Sequence, residues 1–385
     1  MILDLFAGPG GWSEGLRILG LHDIGIEWDA AACATRAAAG HLTIRADLTA
    51  YPVEPFRGRV TGLIASPPCT AFSVAGLGEG REHLPALVTA MYRGDWHALR
   101  DQCPLPVWAP LDVGRWIEGT EPGWIALEQV PPCLPLWCAL AEWLRPRGYH
   151  TWTGILNAAN YGVPQTRRRA FLLAHRHQPA APPTPTHARR PQPTLFETRQ
   201  PWVTMADALG WDGALRHTRG TGMTERHGPR PDRDTTEPAM TLGSKARSWE
   251  LNRRQNAGSK PIRNVPDHEP APTLTAAADA KAQWIWERPA TTVVASFRPD
   301  VIGAPVHHGP GASRVGHPDS VRITPREALI LQSFPPDYPV QGSRSKAFEQ
   351  IGNAVPPLLA THVLAALTGR VLPVGLADDR RGWVA

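Results

Sequence analysis

Short apolar runs alternate with helical patterns along roughly the first 175 residues of the chain. Residues 1–6 form an apolar run, the glycine-rich turn 7–11 follows it, and residues 13–19 have the apolar spacing of a helix. A second apolar run occurs at 24–26, an alanine-rich helical stretch follows it, and residues 43–47 have the pattern of another strand end. This repeated order of strand, turn and helix predicts an α/β fold, in which helices pack on the faces of a parallel sheet.

Polar residues follow two more apolar runs, which we predict to be neighbouring strands. The run 60–65 is followed by a proline pair and Cys69, and the run 124–127 ends at Glu128. Doubly wound sheets bind their ligands at the carboxyl ends of the strands. Because the prolines stiffen the backbone before Cys69, we expect its sulfur at the sheet edge. Glu128 can be the acid that assists a nucleophilic thiolate there.

The glycine-rich turn after the first strand has the features of a nucleoside-binding site. Gly8, Gly10 and Gly11 allow backbone amides to approach a ligand at a helix N-terminus. Glu27 closes the second strand, where a carboxylate can hold ribose hydroxyls, and Asp47 closes the third, where it can accept from an adenine amino group. A tight turn alone also explains the glycines, but three ordered strand ends favour a nucleoside-containing cofactor.

A basic run precedes the last predicted strand of this unit. By β alternation, Gln165, Arg167 and Arg169 lie on one face of the strand, and Thr166 and Arg168 lie on the other. The first three side chains can contribute to a site, and a solvated basic edge is the alternative interpretation.

The composition changes abruptly near residue 178. Prolines crowd the segment 178–201, which we predict to be a linker because proline disfavours a regular helix. Apolar periodicity is weak over 202–318, where three degenerate copies of a turn followed by a β-prone stretch predict a smaller, irregular β-rich domain. We therefore expect one domain at 1–177 and a C-terminal segment at 319–385 that returns to it.

Composition narrows the class of protein further. The 385 residues are 42% apolar and carry a formal net charge of +5, which allows a sizeable core and permits a polyanionic partner. Neither an uninterrupted apolar run of about 18 residues nor a secretory leader occurs, so we expect a soluble, cytoplasmic protein. The five cysteines form no CxxC pair, so we expect neither a disulfide framework nor a metal site.

Six short motifs occur in a fixed order: DLFAGPGGWS at 4–13, EW at 27–28, PPC at 67–69, EQV at 128–130, QTRRR at 165–169 and QIGNAVP at 350–356. They resemble the ordered motifs of the DNA (cytosine-5)-methyltransferases of prokaryotes and phages. The resemblance implies a Rossmann-like, S-adenosylmethionine-dependent methyltransferase fold. It also implies that residues 202–318 form a target-recognition domain, which reads base edges in the major groove.

The resemblance implies a mechanism as well. Cys69 would attack C6 of a cytosine while protonated Glu128 bonds the ring at N3, and C5 would then become nucleophilic. Arg167, supported by Gln165 and Arg169, would anchor the base and its phosphate and lower the pKa of the thiol. Because C6 is inaccessible inside a duplex, the cytosine must be flipped out of the stack.

S-adenosylmethionine is the methyl donor that the resemblance implies, and no metal is expected. The residues expected to hold the donor are Phe6, Gly8, Gly10, Gly11, Glu27, Trp28, Asp47, Pro68, Asn353 and Val355. The partners implied are double-stranded DNA and a cognate restriction endonuclease of the same system, and we expect a monomer. Because the first strand begins at the start of the chain, we expect a stand-alone modification enzyme.

Two positions depart from the family pattern. Thr70 stands where the family usually has Gln, and Gln129 stands where it usually has Asn. Both side chains remain polar, so we expect altered loop geometry rather than lost chemistry. The sequence SPPC at 66–69 argues against amino-methylation, which uses Asp- or Asn-Pro-Pro-aromatic. A tRNA methyltransferase of similar type and a DNA-binding protein without activity remain as alternatives.

Overall fold

The computed structural model describes residues 1–72, 79–191, 199–209 and 324–376, together with the backbone of three short strands. Those strands are Leu215–Thr218, Glu250–Arg253 and Ala290–Thr291. The remainder of the predicted target-recognition segment, with most of the repeat copies, lies outside the described residues. The β-rich domain expected there stays a prediction.

A seven-stranded sheet forms the centre of the described structure. Its strands are, in chain order, β1 (Ile2–Leu5), β2 (Asp23–Glu27), β3 (Leu42–Arg45), β4 (Gly62–Ala65), β5 (Trp124–Gln129), β6 (His150–Asn157) and β8 (Arg168–His175). The short strand β7 (Gln165–Thr166) lies between β6 and β8 in the chain and is not part of this sheet. The order across the sheet is β3-β2-β1-β4-β5-β8-β6. Strands β1 to β5 pair in parallel, as the sequence predicts, so their carboxyl ends share one edge.

The last two strands of the sheet depart from the predicted parallel arrangement. Strand β8 runs antiparallel to β5 on one side and to β6 on the other. Only residues 158–167 separate β6 from β8, and parallel neighbours need a longer crossover connection. The antiparallel direction places the start of β8, with its arginines, beside the end of β5, where Gln129 faces Ala170.

Helices cover both faces of the sheet. The described helices are α1 (Gly11–Ile18), α2 (Ala30–Ala38), α3 (Glu79–Glu82), α4 (Leu84–Arg93), α5 (Leu105–Thr120), α6 (Leu134–Leu144), α7 (Met205–Leu209), α8 (Pro325–Leu331), α9 (Arg344–Asn353) and α10 (Pro357–Thr368). Leu87, Trp116 and Leu140, from α4, α5 and α6, belong to one buried apolar cluster. Leu16 from α1 and Leu359 from α10 belong to another, so the first and last of these helices pack together.

The described part of the proline-rich segment is anchored to the sheet domain. Asn160, which follows β6, accepts a hydrogen bond from the Thr186 amide at 3.0 Å through its carbonyl and one from Trp202 Nε1 at 3.0 Å through its side chain. The Tyr161 hydroxyl donates to the Pro183 carbonyl at 3.0 Å. Residues near both ends of the proline-rich segment therefore contact the same short loop after β6.

One helical stretch among the described residues, Arg344–Thr368, is long and apolar enough to cross a membrane by length and composition alone. It contains α9 and α10, and 83% of its most apolar window is buried inside the protein. Because α10 packs against α1, we interpret this stretch as part of the core.

A fully buried arginine joins the first strands and helices. Arg36, from α2, places Nη2 3.0 Å from Asp23 Oδ2 and donates from Nη1 to Ser13 Oγ at 2.8 Å. Its Nε donates to Thr43 Oγ1 at 2.9 Å, and Asp4 lies 3.8 Å from Nη1. One guanidinium therefore ties β1, β2, β3 and α1 to α2.

The same cluster explains a glycine and a neutral carboxyl group. A Cβ atom on Gly25 would lie 2.2 Å from the Arg36 guanidinium, so only glycine leaves room for this ion pair. Asp4 is wholly buried, and neither of its carboxyl oxygens accepts a hydrogen bond from a described residue. Burial raises the pKa of Asp4 well above its ordinary value, the charge of Asp23 adds to this rise, and Arg36 opposes it. The protonated form of Asp4 is therefore favoured.

Replacing Arg36 by Met should lower the free energy of unfolding by about 3–5 kcal/mol, because the buried Asp23 carboxylate loses its cationic partner. Urea denaturation followed by circular dichroism measures the change. Arg57→Met, at an exposed arginine, is the control and should shift the same quantity by less than about 0.5 kcal/mol. Equal losses for the two variants would contradict the importance of the buried ion pair.

Candidate active site

A pocket of about 900 Å³, which includes space open to solvent, lies at the carboxyl ends of the parallel strands. Twelve of the predicted site residues line it: Phe6, Gly8, Gly11, Glu27, Trp28, Pro68, Cys69, Glu128, Arg167, Arg169, Asn353 and Val355. Three predicted site residues, Gly10, Asp47 and Gln165, are not among its lining residues. Segments that are far apart in the sequence therefore meet at one edge of the sheet.

The turn after β1 is shaped by the Glu27 carboxylate. Oε2 of Glu27 accepts a hydrogen bond from the Gly8 amide at 2.8 Å, and Oε1 accepts from the amides of Trp28 and Asp29 at 2.8 Å each. Phe6 and Gly8 adopt positive φ angles of 56° and 54°, which set the sharp bend of the turn. Glu27 thus fixes the turn, and its Oε2, which accepts one hydrogen bond, retains capacity for a further donor.

Two glycines of this turn serve close packing. A Cβ atom on Gly11 would lie 2.1 Å from the Val355 carbonyl oxygen, so the chain segment after α9 presses directly on the turn. Gly10 has a φ of 105°, and a Cβ atom there would lie 2.9 Å from the Tyr338 hydroxyl. The structure therefore gives Gly10 a packing role beneath the pocket, where the sequence pattern predicts ligand contact.

Asp47 lies outside the pocket as well. Its side chain is exposed, and Oδ1 accepts from the Thr49 amide at 3.0 Å and from the Thr49 hydroxyl at 2.8 Å. These local bonds form a turn directly after β3. In this arrangement the carboxylate stabilises its own loop.

Glu128 and Arg169 form an ion pair beside Cys69. Arg169 Nε lies 2.9 Å from Glu128 Oε1, and both side chains are largely buried. Burial raises the pKa of the Cys69 thiol. The charges of Arg169 and, to a smaller extent, Arg167 lower that pKa, and the charge of Glu128 raises it. The predicted effect of the arginines has the expected direction, but burial outweighs it, so the resting thiol is protonated at neutral pH.

Arg167 is engaged with backbone on the opposite side of the pocket. Its buried guanidinium donates from Nη1 to the Gly352 carbonyl at 2.8 Å and from Nη2 to the Asn353 carbonyl at 3.4 Å. These carbonyls belong to the last turn of α9, where a cation also interacts favourably with the helix dipole. Burial lowers the pKa of Arg167 to about 9, which leaves the guanidinium charged at neutral pH.

Gln165 does not share the pocket with the two arginines. Its Nε2 donates to Gln332 Oε1 at 2.7 Å and to the Leu331 carbonyl at 3.3 Å in the interior. The expectation of simple alternation over 165–169 fails because the backbone turns tightly between β7 and β8. The Arg167 amide donates to the Gln165 carbonyl at 3.1 Å there, which a continuous strand does not allow.

Gln129 supports the loop that carries the cysteine. Its Nε2 donates to the Pro67 carbonyl at 2.9 Å and to the Pro68 carbonyl at 3.3 Å, and its Oε1 accepts from the Val130 amide at 2.7 Å. The carboxamide thus ties the end of β5 to the backbone just before Cys69. An amide retained at this position, one methylene longer than Asn, serves as a loop support.

Several lining residues were not predicted as site residues: Ala7, Pro9, Trp12, Ser66, Pro67, Thr70, Gln129 and Ala354. Trp12 Nε1 donates to Ser66 Oγ at 2.9 Å, which joins the glycine-rich turn to the loop before Cys69. Trp12 lies within the motif at 4–13 and Ser66 directly precedes the motif at 67–69, so membership of a motif or adjacency to one was the available signal. Among the described residues, no group of three or more His, Cys, Asp or Glu side chains could hold a metal ion.

Comparison with known proteins gives a consistent picture. The model of the family described as C-5 cytosine-specific DNA methylase matches residues 1–92 and 111–369 of this chain. The type II methyltransferase M.AplI of Arthrospira platensis is 29% identical over 379 residues, which span 94% of this chain and 84% of that protein. M.DdeI of Desulfomicrobium norvegicum, also a type II methyltransferase, is 24% identical over 98% of this chain and 91% of its own length.

Solved structures share the fold. The S. pombe Dnmt2 methyltransferase superposes with a TM-score of 0.52 at 15% identity and covers 96% of this chain and 98% of its own. The Entamoeba histolytica methyltransferase EhMeth gives a TM-score of 0.51 at 10% identity and covers 96% and 97%. The Rossmann-like α/β class expected from the sequence is thereby confirmed.

The charges around Cys69 predict opposite effects of two substitutions on its reactivity. Glu128→Gln removes a negative charge and should speed alkylation of Cys69 by iodoacetamide at pH 8 about three- to tenfold. Arg169→Gln removes a positive charge and should slow it by a similar factor. Mass spectrometry of the peptide containing Cys69 measures each rate. Changes of the same sign in both variants would contradict electrostatic control of the thiol.

Proposed function

The chain belongs to the family of C-5 cytosine-specific DNA methylases and is a DNA (cytosine-5)-methyltransferase, and we propose that it acts through a covalent bond between Cys69 and C6 of the target cytosine. The observation that carries the proposal is the meeting of the Cys69 thiol with the Glu128–Arg169 ion pair in one pocket. A nucleophile and an acid group thus face the same space.

The residues of the pocket fit S-adenosylmethionine, which supplies the methyl group when it is bound. Gly8 and Gly11 leave the backbone at the N-terminus of α1 open to a ligand, and Glu27 offers its Oε2 to a ribose hydroxyl. The Trp28 ring, which is 65% exposed at the rim, offers a flat apolar surface to a purine. Asn353 and Val355 close the opposite wall. We assign these residues to the cofactor side of the pocket.

Cys69 and Glu128 perform the covalent chemistry in this proposal. The thiol loses its proton to solvent, and Sγ forms a bond to C6 of the cytosine while Glu128 donates a proton to N3. C5 would then accept the methyl group that bound S-adenosylmethionine supplies, and the electron pair of the broken methyl–sulfur bond would leave with S-adenosylhomocysteine. Loss of the C5 proton to a solvent base and cleavage of the Sγ–C6 bond restore the aromatic ring, and the N3 proton returns to the carboxylate.

We assign different roles to the two arginines. Arg169 orients the Glu128 carboxylate through their ion pair and faces the base. Arg167 holds the wall formed by the end of α9, because its guanidinium donates to the Gly352 and Asn353 carbonyls. Gln165 belongs with Arg167 as a support. In this proposal Arg169 faces the base, whereas the resemblance implies that Arg167 anchors the base with Gln165 and Arg169 in support.

We further propose duplex DNA as the substrate, read by the segment 202–318, and a role as the modification enzyme of a type II restriction–modification system in a prokaryotic cytoplasm. The curated relatives that carry the name type II methyltransferase support this role. Such a system includes an endonuclease of the same specificity. We also propose that it acts as a monomer.

Bisulfite sequencing of plasmid DNA tests the substrate and the reaction together. A host without cytosine methylation that expresses this chain should yield protected cytosines within one short recurring sequence. Cys69→Ala should abolish protection, while Cys138→Ala, whose thiol contacts Thr153 away from the pocket, should leave it unchanged. Unprotected plasmid DNA alongside protected tRNA cytosines would contradict the DNA substrate.

DNA that contains 5-fluorocytosine at the target position tests the covalent step. Because fluorine cannot leave C5 as a proton does, the Sγ–C6 bond should persist and give a complex that resists denaturation in sodium dodecyl sulfate. Cys69→Ser should form at least about 100-fold less of it, and Glu128→Gln should slow its formation by a factor of about 100 or more. An undiminished complex with Cys69→Ser would exclude Cys69 as the nucleophile.

A further inference from the structure

The connection between α9 and α10 forms one wall of the pocket, and side chains from elsewhere hold its backbone. Asn353, Ala354 and Val355 line the pocket. The last carbonyl groups of an α-helix lack partners within the helix. Here Arg167 donates to the carbonyls of Gly352 and Asn353, as described above, and Ala354 receives its donor from another residue.

That donor is Gln332, which follows α8 and is fully buried. Its Nε2 donates to the Ala354 carbonyl at 2.6 Å, and its Oε1 accepts from Gln165 Nε2 at 2.7 Å. The next residue, Ser333, adopts a positive φ of 64°, and its Oγ accepts from the Leu358 amide at 3.1 Å. The turn at 332–333 therefore holds both ends of the connection.

We propose that Gln332 is a positioning residue for cofactor binding, an inference that rests on the proposed function. Its side chain is not among the pocket lining, so it acts through Ala354. The Val355 carbonyl already lies so near Gly11 that a Cβ atom there would come within 2.1 Å. The wall cannot move toward the glycine-rich turn, so loss of the Gln332 bond releases it outward and widens the cofactor side of the pocket.

The Gln332 carboxamide also connects the wall to the basic run at 165–169. Gln165 bonds to Gln332, and Arg167, two residues later, bonds to the carbonyls next to Ala354. Gln332 and Arg167 are thus two parallel ties between the β7–β8 junction and the wall. Arg167 donates to the carbonyls of Gly352 and Asn353, whereas Gln332 donates to the carbonyl of Ala354, the residue directly before Val355. Cofactor contact at Val355 therefore depends most on Gln332.

Substitution at position 332 separates this role from a general effect on folding. Gln332→Glu preserves the size and the acceptor for Gln165 but, when ionised, cannot donate to the Ala354 carbonyl. Gln332→Met removes both bonds. Each variant should bind S-adenosylhomocysteine about tenfold more weakly by isothermal titration calorimetry, because a buried carbonyl loses its donor. The KM for S-adenosylmethionine should rise by the same factor, with kcat within about threefold and the KM for DNA unchanged.

Gln341→Met is the matched control, because the exposed Gln341 side chain donates to the Pro339 carbonyl and is not among the residues that line the pocket. It should bind S-adenosylhomocysteine as the wild type does. If Gln332→Met fails to fold, as judged by thermal unfolding, Gln332→Glu supplies the test. Wild-type affinity in a folded Gln332→Glu, or a fall in kcat with unchanged affinity, would overturn the inference. A wild-type protein that binds no S-adenosylhomocysteine overturns the proposed function as well.

Discussion

The contact between Gly11 and Val355 is the constraint on which the pocket depends. Gly11 has no Cβ atom, and a Cβ atom at this position would clash with the Val355 carbonyl oxygen at a distance of 2.1 Å. A second close approach lies one helical turn further on, where a Cβ on Gly15 would come within 2.7 Å of Ala360 Cβ. Helices α1 and α10 therefore pack at a distance that only small residues permit. The segments around Gly11 and Val355 lie far apart in the chain, and both walls of the pocket exist only when these segments pack together.

Several polar side chains secure the loops that this junction brings together. Glu27 holds the turn after β1, Gln129 holds the backbone before Cys69, and Gln332 holds the segment before Val355. Each bonds to backbone groups that regular secondary structure leaves without a partner, which would be costly to bury unsatisfied. The residues that line the pocket thus lie on irregular backbone, and these side-chain hydrogen bonds hold that backbone in place.

The residues at strand ends could be predicted from the sequence, because apolar runs fix where strands end and parallel strands share an edge. Cys69 and Glu128 were expected near each other on this basis, and both line the pocket. Gln165 was placed incorrectly, because alternation presumes a continuous strand and the backbone turns at Arg167. The bond from Gln165 to Gln332 joins residues 167 positions apart, and local sequence patterns carry no information on such a contact.

The charges of the pocket act on the Cys69 thiol, whose ionisation the proposed chemistry requires. The Glu128 charge raises the pKa of Cys69, and the Arg169 and Arg167 charges lower it. The negative charge of the Glu128 carboxylate therefore disfavours the Cys69 thiolate. When the Glu128 side chain carries no charge, this part of the rise in the Cys69 pKa is absent. In the proposed step, in which Glu128 carries a proton for N3, the carboxylate charge that opposes the Cys69 thiolate is therefore absent, and burial keeps the thiol protonated at rest.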